Sequence, residues 1–333
     1  MTRLAVFLLL AHSPHGVLAG LNTDGLPAGA AAVVVVDFVA FRSSQLGKAV
    51  EQSASLNTGN NPLNKPMVEK LNFDGNKDLR EIDVAVYPGA DGKVAAKNPT
   101  AAILLRGKFD PSRINTFGKD NQVPAKTVGK HQAWEAGALA EKLFGEKPKD
   151  QTSEAYLIAY SSELVLVASP DFLATALASL EANEKNPLLP AVTARQFAAV
   201  PKGWLFIYGD ATKIKTADTN GATDFTLSLG ESPADLQLAL SANFVTTEKA
   251  AIIRKQLHGL KAFASIGLMN DEGKSPDEKE NMKLLSELVQ KLRIGGDGRT
   301  VTLGLDYAAA KAAPAIVKAI EKAKQSAPAP ASK

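Results

Sequence analysis

Cysteine is missing from all 333 residues. Its absence excludes disulfides, thiolate metal sites, a cysteine nucleophile and a lipid-modified cysteine behind an export signal. Aromatic residues are scarce at 6%, and the formal charge of +3 is small for this length, with Lys and Glu intermixed along the chain. Single strands of nucleic acid are bound on aromatic platforms and duplexes on clustered basic faces. Neither is present, so no nucleic-acid partner is expected. Past the N-terminal stretch no segment approaches the ~20 consecutive apolar residues of a membrane-spanning helix, so no integral membrane segment is expected there.

The motifs that would announce chemistry are also missing. There is no G-x-x-x-x-G-K-[ST] phosphate loop, no G-x-G-x-x-G behind a strand, no S-x-x-K pair and no H-x-x-x-H metal spacing. No cofactor and no metal are therefore expected. The histidines beyond residue 19, His131 and His258, lie far apart in the chain.

What is present is the composition of a soluble globular protein, 45% hydrophobic and 22% charged, over a length that accommodates two domains. Residues 1–19 have the layout of a signal peptide: Arg3, an apolar run from Leu4 to Ala11, then Val17-Leu18-Ala19 before Gly20. This predicts an exported protein, periplasmic or extracellular. The next stretch, Ala30 to Val36, is a continuous apolar run ending in Asp37 and Phe38, which reads as a strand covered on both faces followed by a capped helix. It is echoed by Trp204-Leu205-Phe206-Ile207-Tyr208-Gly209-Asp210.

From there both halves share one order of elements: strand, helix, strand, strand, helix, an insertion, strand, strand, helix. The expected fold is α+β, with two tandem related modules of mainly antiparallel sheet and helices packed on one face. The first module spans 20–190 and the second 191–325. An Ala/Pro-rich disordered tail is expected over 326–333, and Glu141 to Asp150 reads as a charged loop.

Asp37, Asp110, Asp210 and Asp306 all fall at expected strand-to-helix turns, where a carboxylate caps the first exposed N–H groups. Gly230-Glu231-Ser232-Pro233-Ala234 imitates a nucleophile elbow, but a strand follows it where an elbow needs a helix, so a hairpin turn is the expected reading. The long helix opened by Thr246-Thr247-Glu248 is expected to turn Ala250, Ile253, Leu257, Leu260 and Ala264 inward, and the helix after Ser275-Pro276 to turn in Met282, Leu285, Val289 and Leu292. Trp134, Trp204 and Tyr208 are the candidates for lining a ligand cleft; core packing is the default reading for aromatics on a buried strand, and Trp134, in the insertion, is the more open candidate.

Leu104-Leu105-Arg106-Gly107-Lys108-Phe109-Asp110-Pro111, with Leu71-Asn72-Phe73-Asp74 and Asp78-Leu79 ahead of it and Gly298-Arg299-Thr300-Val301-Thr302-Leu303-Gly304-Leu305 near the end, resembles a group of uncharacterised exported bacterial proteins. They share an RG-x-F-D strand-to-helix turn and a closing hairpin and helix. The resemblance implies a duplicated α/β module and brings no catalytic residue with it. The expected function is non-catalytic binding or scaffolding, of an envelope protein or a small ligand, through a groove between the modules or an exposed sheet face. The alternative is a periplasmic hydrolase with a serine or carboxylate site.

Overall fold

The computed structural model describes residues 24–53, 64–95, 98–145, 154–182, 203–214, 221–267 and 276–326. The expected signal peptide, the module boundary at 183–190, the cap at Ser275 and the tail beyond Ser326 lie outside these residues.

The strands are β1 (Ala32–Asp37), β2 (Leu79–Tyr87), β3 (Thr100–Gly107), β4 (Ala125–Val128), β5 (His131–Glu135), β6 (Tyr156–Ser161), β7 (Leu164–Ala168), β8 (Gly203–Asp210), β9 (Ala222–Glu231), β10 (Asp235–Phe244), β11 (Arg293–Gly295) and β12 (Thr300–Ala308). They form one sheet, ordered β11-β12-β10-β9-β8-β1-β2-β3-β7-β6-β5-β4, with antiparallel pairing throughout. The helices are α1 (Phe38–Ser43), α2 (Gln45–Gln52), α3 (Asn64–Leu71), α4 (Gly75–Asp78), α5 (Pro111–Asp120), α6 (Ala136–Phe144), α7 (Leu173–Glu181), α8 (Thr247–Gly267), α9 (Pro276–Lys291) and α10 (Ala309–Ser326). The α+β class is as expected. Of the expected charged loop from Glu141 to Asp150, residues 146–150 lie outside the described residues and 141–144 belong to helix α6, because Ala136-Gly137-Ala138-Leu139 starts a helical run that buries Leu139 and Leu143 and closes on Gly145 in the left-handed region.

The halves meet inside the sheet. β1 and β8 are neighbours, with Val33 opposite Tyr208, Val34 opposite Ile207 and Val35 opposite Phe206. The ladder is therefore continuous across this seam. Running outward from β1 the strands are β2, β3, β7, β6; from β8 they are β9, β10, β12, β11.

One face carries Val33, Val35, Ala85, Leu104, Ile158, Leu166 and Phe206, all at 0–1% exposure, beneath Leu173, Ala176, Leu177 and Leu180 of α7. Gly25 packs on the same helix at positive φ, so close that a Cβ would stand 2.7 Å from the Leu180 side chain. The other face carries the remaining packed helices. Residues of α3, α5 and α6 cover Leu105, Val165 and Leu157; α1, α2 and α10 cover Trp204, Leu205 and Leu229; α8 covers Ala242 and Val301. Helices thus occupy both faces, not one as expected. The closing helices of the two halves differ most, α7 on the first face and α10 on the second.

The four aspartates separate by context. Asp37 caps α1 by accepting from Ala40 N at 2.9 Å, and Asp110 caps α5 by accepting from Arg113 N at 3.0 Å. Asp210 accepts from the N–H and hydroxyl of Thr212, in a turn that no described helix follows. Asp306 is not a cap. It lies within β12 opposite Gln237 and pairs with Arg293. Asp37→Ala should cost ~1 kcal/mol, Asp110→Ala should also destabilise by loss of its cap, and Asp306→Ala should cost less than ~0.5 kcal/mol because its pair is solvent-exposed. Urea denaturation of the three variants checks that order.

Candidate ligand-binding face

Cross-strand register on the second face assembles a feature that no single segment shows. Ile103 (β3) stands opposite Val84 (β2), Val84 opposite Val34 (β1), Val34 opposite Ile207 (β8), Ile207 opposite Leu227 (β9), Leu227 opposite Leu240 (β10) and Leu240 opposite Leu303 (β12). Seven neighbouring strands thus contribute one unbroken apolar row. At ~4.8 Å between strands it is about 29 Å long. A second row lies beside it: Leu105, Ile82, Val36, Leu205, Leu229, Leu238 and Leu305.

The first row is incompletely covered. Each of its seven side chains is only half-buried, although their immediate chain neighbours Val33, Val35, Phe206 and Leu104 on the opposite face are sealed. Phe38 of α1 packs on Val34 within this row, and the other helix-packed clusters border it. They lie over β3, β7 and β6 at one end, over Leu205 and Leu229 along one side, and over Ala242 and Val301 near the other end. β1 is thus sealed on one face and covered by Phe38 on the other, where Val36 is buried and Val34 half-buried. In the second half the incomplete cover has a local cause: β9, β10 and β12 alternate Leu with Ser, Thr, Ala or Gly, giving one apolar face per strand.

The aromatic candidates do not meet on this face. Trp134 is 3% exposed; it donates from Nε1 to Asn115 Oδ1 at 2.9 Å and lies on Gly118, where a Cβ would stand 2.7 Å from its ring. Trp204 is buried beneath α10, edge-on to Phe41 with ring centroids 5.0 Å apart. Its Nε1 has no acceptor among the described residues. The register shift between Gly203 and Leu205 turns it from the side on which Phe206 lies. Tyr208 packs with the opposite, sealed core, and burial followed by the charges of Asp210 and Asp224 raises its phenol pKa. Trp134 and Trp204 each lie in a buried cluster.

Nor do the polar candidates converge. Ser232 sits in the β9–β10 turn, where its hydroxyl accepts from Asp235 N at 3.0 Å. Its neighbour Glu231 accepts from Gln45 N at 2.6 Å and Leu46 N at 3.3 Å, capping α2 from the other half of the chain. His131 stacks on Tyr160 and lies 3.5 Å from Glu181, while His258 is exposed on α8. Among the described residues no group of three or more His, Asp or Glu could hold a metal.

The polar cluster that sequence reading missed is Glu81, Asp83 and Arg106. Glu81 and Asp83 are two apart on β2 and so share a face, and Arg106 lies on neighbouring β3. Arg106 Nε donates to Asp83 Oδ2 at 3.0 Å and stands 3.2 Å from Glu81 Oε1, while Nη2 donates to the Asp24 carbonyl at 2.7 Å. Asp83 is wholly buried, and burial raises its pKa to about 6 against the opposing pull of Arg106 and a hydrogen bond with Glu81. A carboxyl closed off to this degree has no room for a substrate, so the cluster acts as an internal strut.

The strut also explains the RG-x-F-D turn. Arg106 is its cation. Gly107 runs so close to the Asp78 carbonyl that a Cβ would stand 2.5 Å from that oxygen. Phe109 stacks on Phe73 at 4.9 Å, and Asp110 caps α5.

No family model and no curated protein matches the chain. Among solved structures it is similar to crystal form I of TP0453, at 10% identity and a TM-score of 0.42 over 91% of this chain and 99% of that one. Crystal form III gives 11% and 0.45 over 90% and 99%. Crystal form IV gives 10% and 0.46 over 90% and 97%.

Proposed function

We propose that this is a non-catalytic, exported binding protein that holds an elongated apolar ligand, of the long-chain acyl class, on the half-covered sheet face. The observation that carries this reading is the row from Ile103 to Leu303, half-buried along seven strands, with buried residues on the opposite side of β1, β2, β3, β8 and β9. Small-ligand sites are largely apolar and preformed, and a row of Val, Ile and Leu offers contact along its length without a directional polar anchor. An acyl chain suits such a surface, gaining roughly 0.8 kcal/mol for each methylene removed from water. Export rests on the layout of residues 1–19. The matching strand orders outward from β1 and β8 support the proposal that the two halves are related modules.

The test is titration with a fluorescent long-chain fatty acid, with palmitate as competitor. Saturable binding displaced by palmitate is expected, and Leu227→Glu combined with Leu240→Glu should weaken it at least ~10-fold by placing two charges beneath the chain. Both positions are partly open to solvent, so the variant should keep the wild-type far-UV circular dichroism. Wild-type protein that shows no saturable binding, or a well-folded variant that binds as well as wild type, would sink the proposal.

A further inference from the structure

Helix α8 presents two different sides. Its inner side packs Ala250, Ile253 and Leu257 against Ala242 and Val301. Two of its cations bind it to the body: Arg254 donates to the Thr300 carbonyl at 2.6 Å, and Lys261 to the Leu292 carbonyl at 2.6 Å and the Gln290 carbonyl at 3.1 Å. The outer side is apolar and bare. Ile252 is 54% exposed, Leu260 64%, Phe263 75% and Ile266 70%. With about 100° between successive residues, Ile252, Phe263 and Ile266 fall within roughly 60° of one another and Leu260 lies beside them. Leu260 was expected on the inner stripe, and the Arg254 and Lys261 contacts turn it outward. Leu285 of α9, also expected inward, is 49% exposed.

We propose that α8 docks this protein on an anionic lipid surface, with Phe263, Ile266, Leu260 and Ile252 entering the acyl boundary and Lys249 and Lys255 meeting headgroup phosphates. The proposal goes beyond ligand binding on the sheet face and does not depend on it. Charge selects the occupant. Along Thr247–Gly267 the cations are Lys249, Arg254, Lys255 and Lys261, and the one acid is Glu248. An anionic bilayer complements this excess of cations.

The distribution along the axis agrees. Lys249 and Lys255 are exposed in the first half. In the second half, from Gly259 to Ile266, the single charged residue is Lys261, which is turned inward. An interfacial helix of this kind buries its apolar side at the headgroup boundary and keeps its cations among the phosphates. A convex row of Phe, Ile and Leu suits a fluid surface that deforms around it. Among the described residues no helix is long and apolar enough to cross a membrane, so the contact is peripheral.

Co-sedimentation with vesicles of phosphatidylcholine, with and without phosphatidylglycerol, tests this. Wild-type protein should sediment with the phosphatidylglycerol vesicles, and at least ~10-fold less with phosphatidylcholine alone. Phe263→Ser with Ile266→Ser should lower binding at least ~10-fold, and Lys249→Glu with Lys255→Glu by a similar factor that shrinks at high salt. Both pairs are solvent-exposed, so unchanged circular dichroism is expected alongside the loss. Equal binding to both vesicle types, no binding to either, or a wild-type dimer in light scattering that Phe263→Ser with Ile266→Ser converts to monomer would overturn the proposal, the last in favour of a second copy as the occupant. The Leu227→Glu, Leu240→Glu variant should bind vesicles like wild type, so the two proposals fail separately.

Discussion

Replacing Arg106 by Met is expected to destabilise the protein by ~3–5 kcal/mol at pH 7.5, the cost of stripping the cation from a buried ion pair. Met fills similar volume, so the loss reports charge and not a cavity. Asp83 at 0% exposure and Glu81 at 7% would then lose the cation they share in a closed space. The penalty should shrink below pH ~5, where protonated carboxyls need none.

Asp83 supplies the companion measurement. Its folded pKa of about 6 lies above the ordinary carboxyl value of 3.8, so the folded state binds the proton more tightly. Its contribution to stability is fully present below pH ~4, declines as pH rises to ~6 and is level above that. Other carboxyls shift the opposite way, Asp74 and Asp110 among them, so the observable is the difference between wild type and Asp83→Asn. That difference should move in favour of the variant between pH ~4 and ~6 and then stop changing. A pH-independent difference would show that Asp83 does not carry the titration. Adding Asp83→Asn to Arg106→Met should restore part of the lost stability, because one of the two uncompensated charges is gone.

The second large effect belongs to Arg42, a residue of α1 that is 5% exposed. Its guanidinium donates to three backbone carbonyls, Phe38 O at 2.8 Å, Asn76 O at 2.5 Å and Leu79 O at 2.5 Å. These contacts join α1, α4 and the start of β2. Burial lowers its pKa to about 10, with Asp37, Asp74 and Asp78 pulling the other way, so it remains a cation at neutral pH. Arg42→Met leaves three carbonyls without their donor and should cost ~2–4 kcal/mol, since each unsatisfied buried group costs ~1–3 kcal/mol and relaxation recovers some of it. Arg42→Lys keeps the charge but replaces a planar fork by a single ammonium, and should recover less than half of that loss. Urea midpoints at unchanged m-value measure both.

Much of the local structure could be read from residues alone. The runs at Ala30–Val36, Ile82–Val86 and Ala101–Leu105 are strands. The turns at Gly129 and at Gly230–Asp235 are hairpins, and Asp37 and Asp110 are caps. Each depends on neighbours within a few residues. Asp210 and Asp306 show where that reading ends. Both follow apolar strand residues as Asp37 does, yet one closes a turn and the other pairs inside the sheet with Arg293. A carboxylate accepts a hydrogen bond from whichever donor the tertiary structure brings near.

The candidate sites lie further from the sequence. Leu227, Leu240 and Leu303 are legible as the apolar sides of alternating strands, and so is the amphipathic character of α8. Their joining into one seven-strand row depends on β1 pairing with β8 across the seam of the two halves. That row is half-open because α7 returns to one face of the sheet and α10 to the other. Arg106 meets Glu81 and Asp83 through the β2–β3 register alone. Hydrophobic periodicity determines which side of an element avoids water, a property of spacing along the chain. Which side is then covered depends on contacts between residues far apart in the chain, and only the tertiary structure decided that.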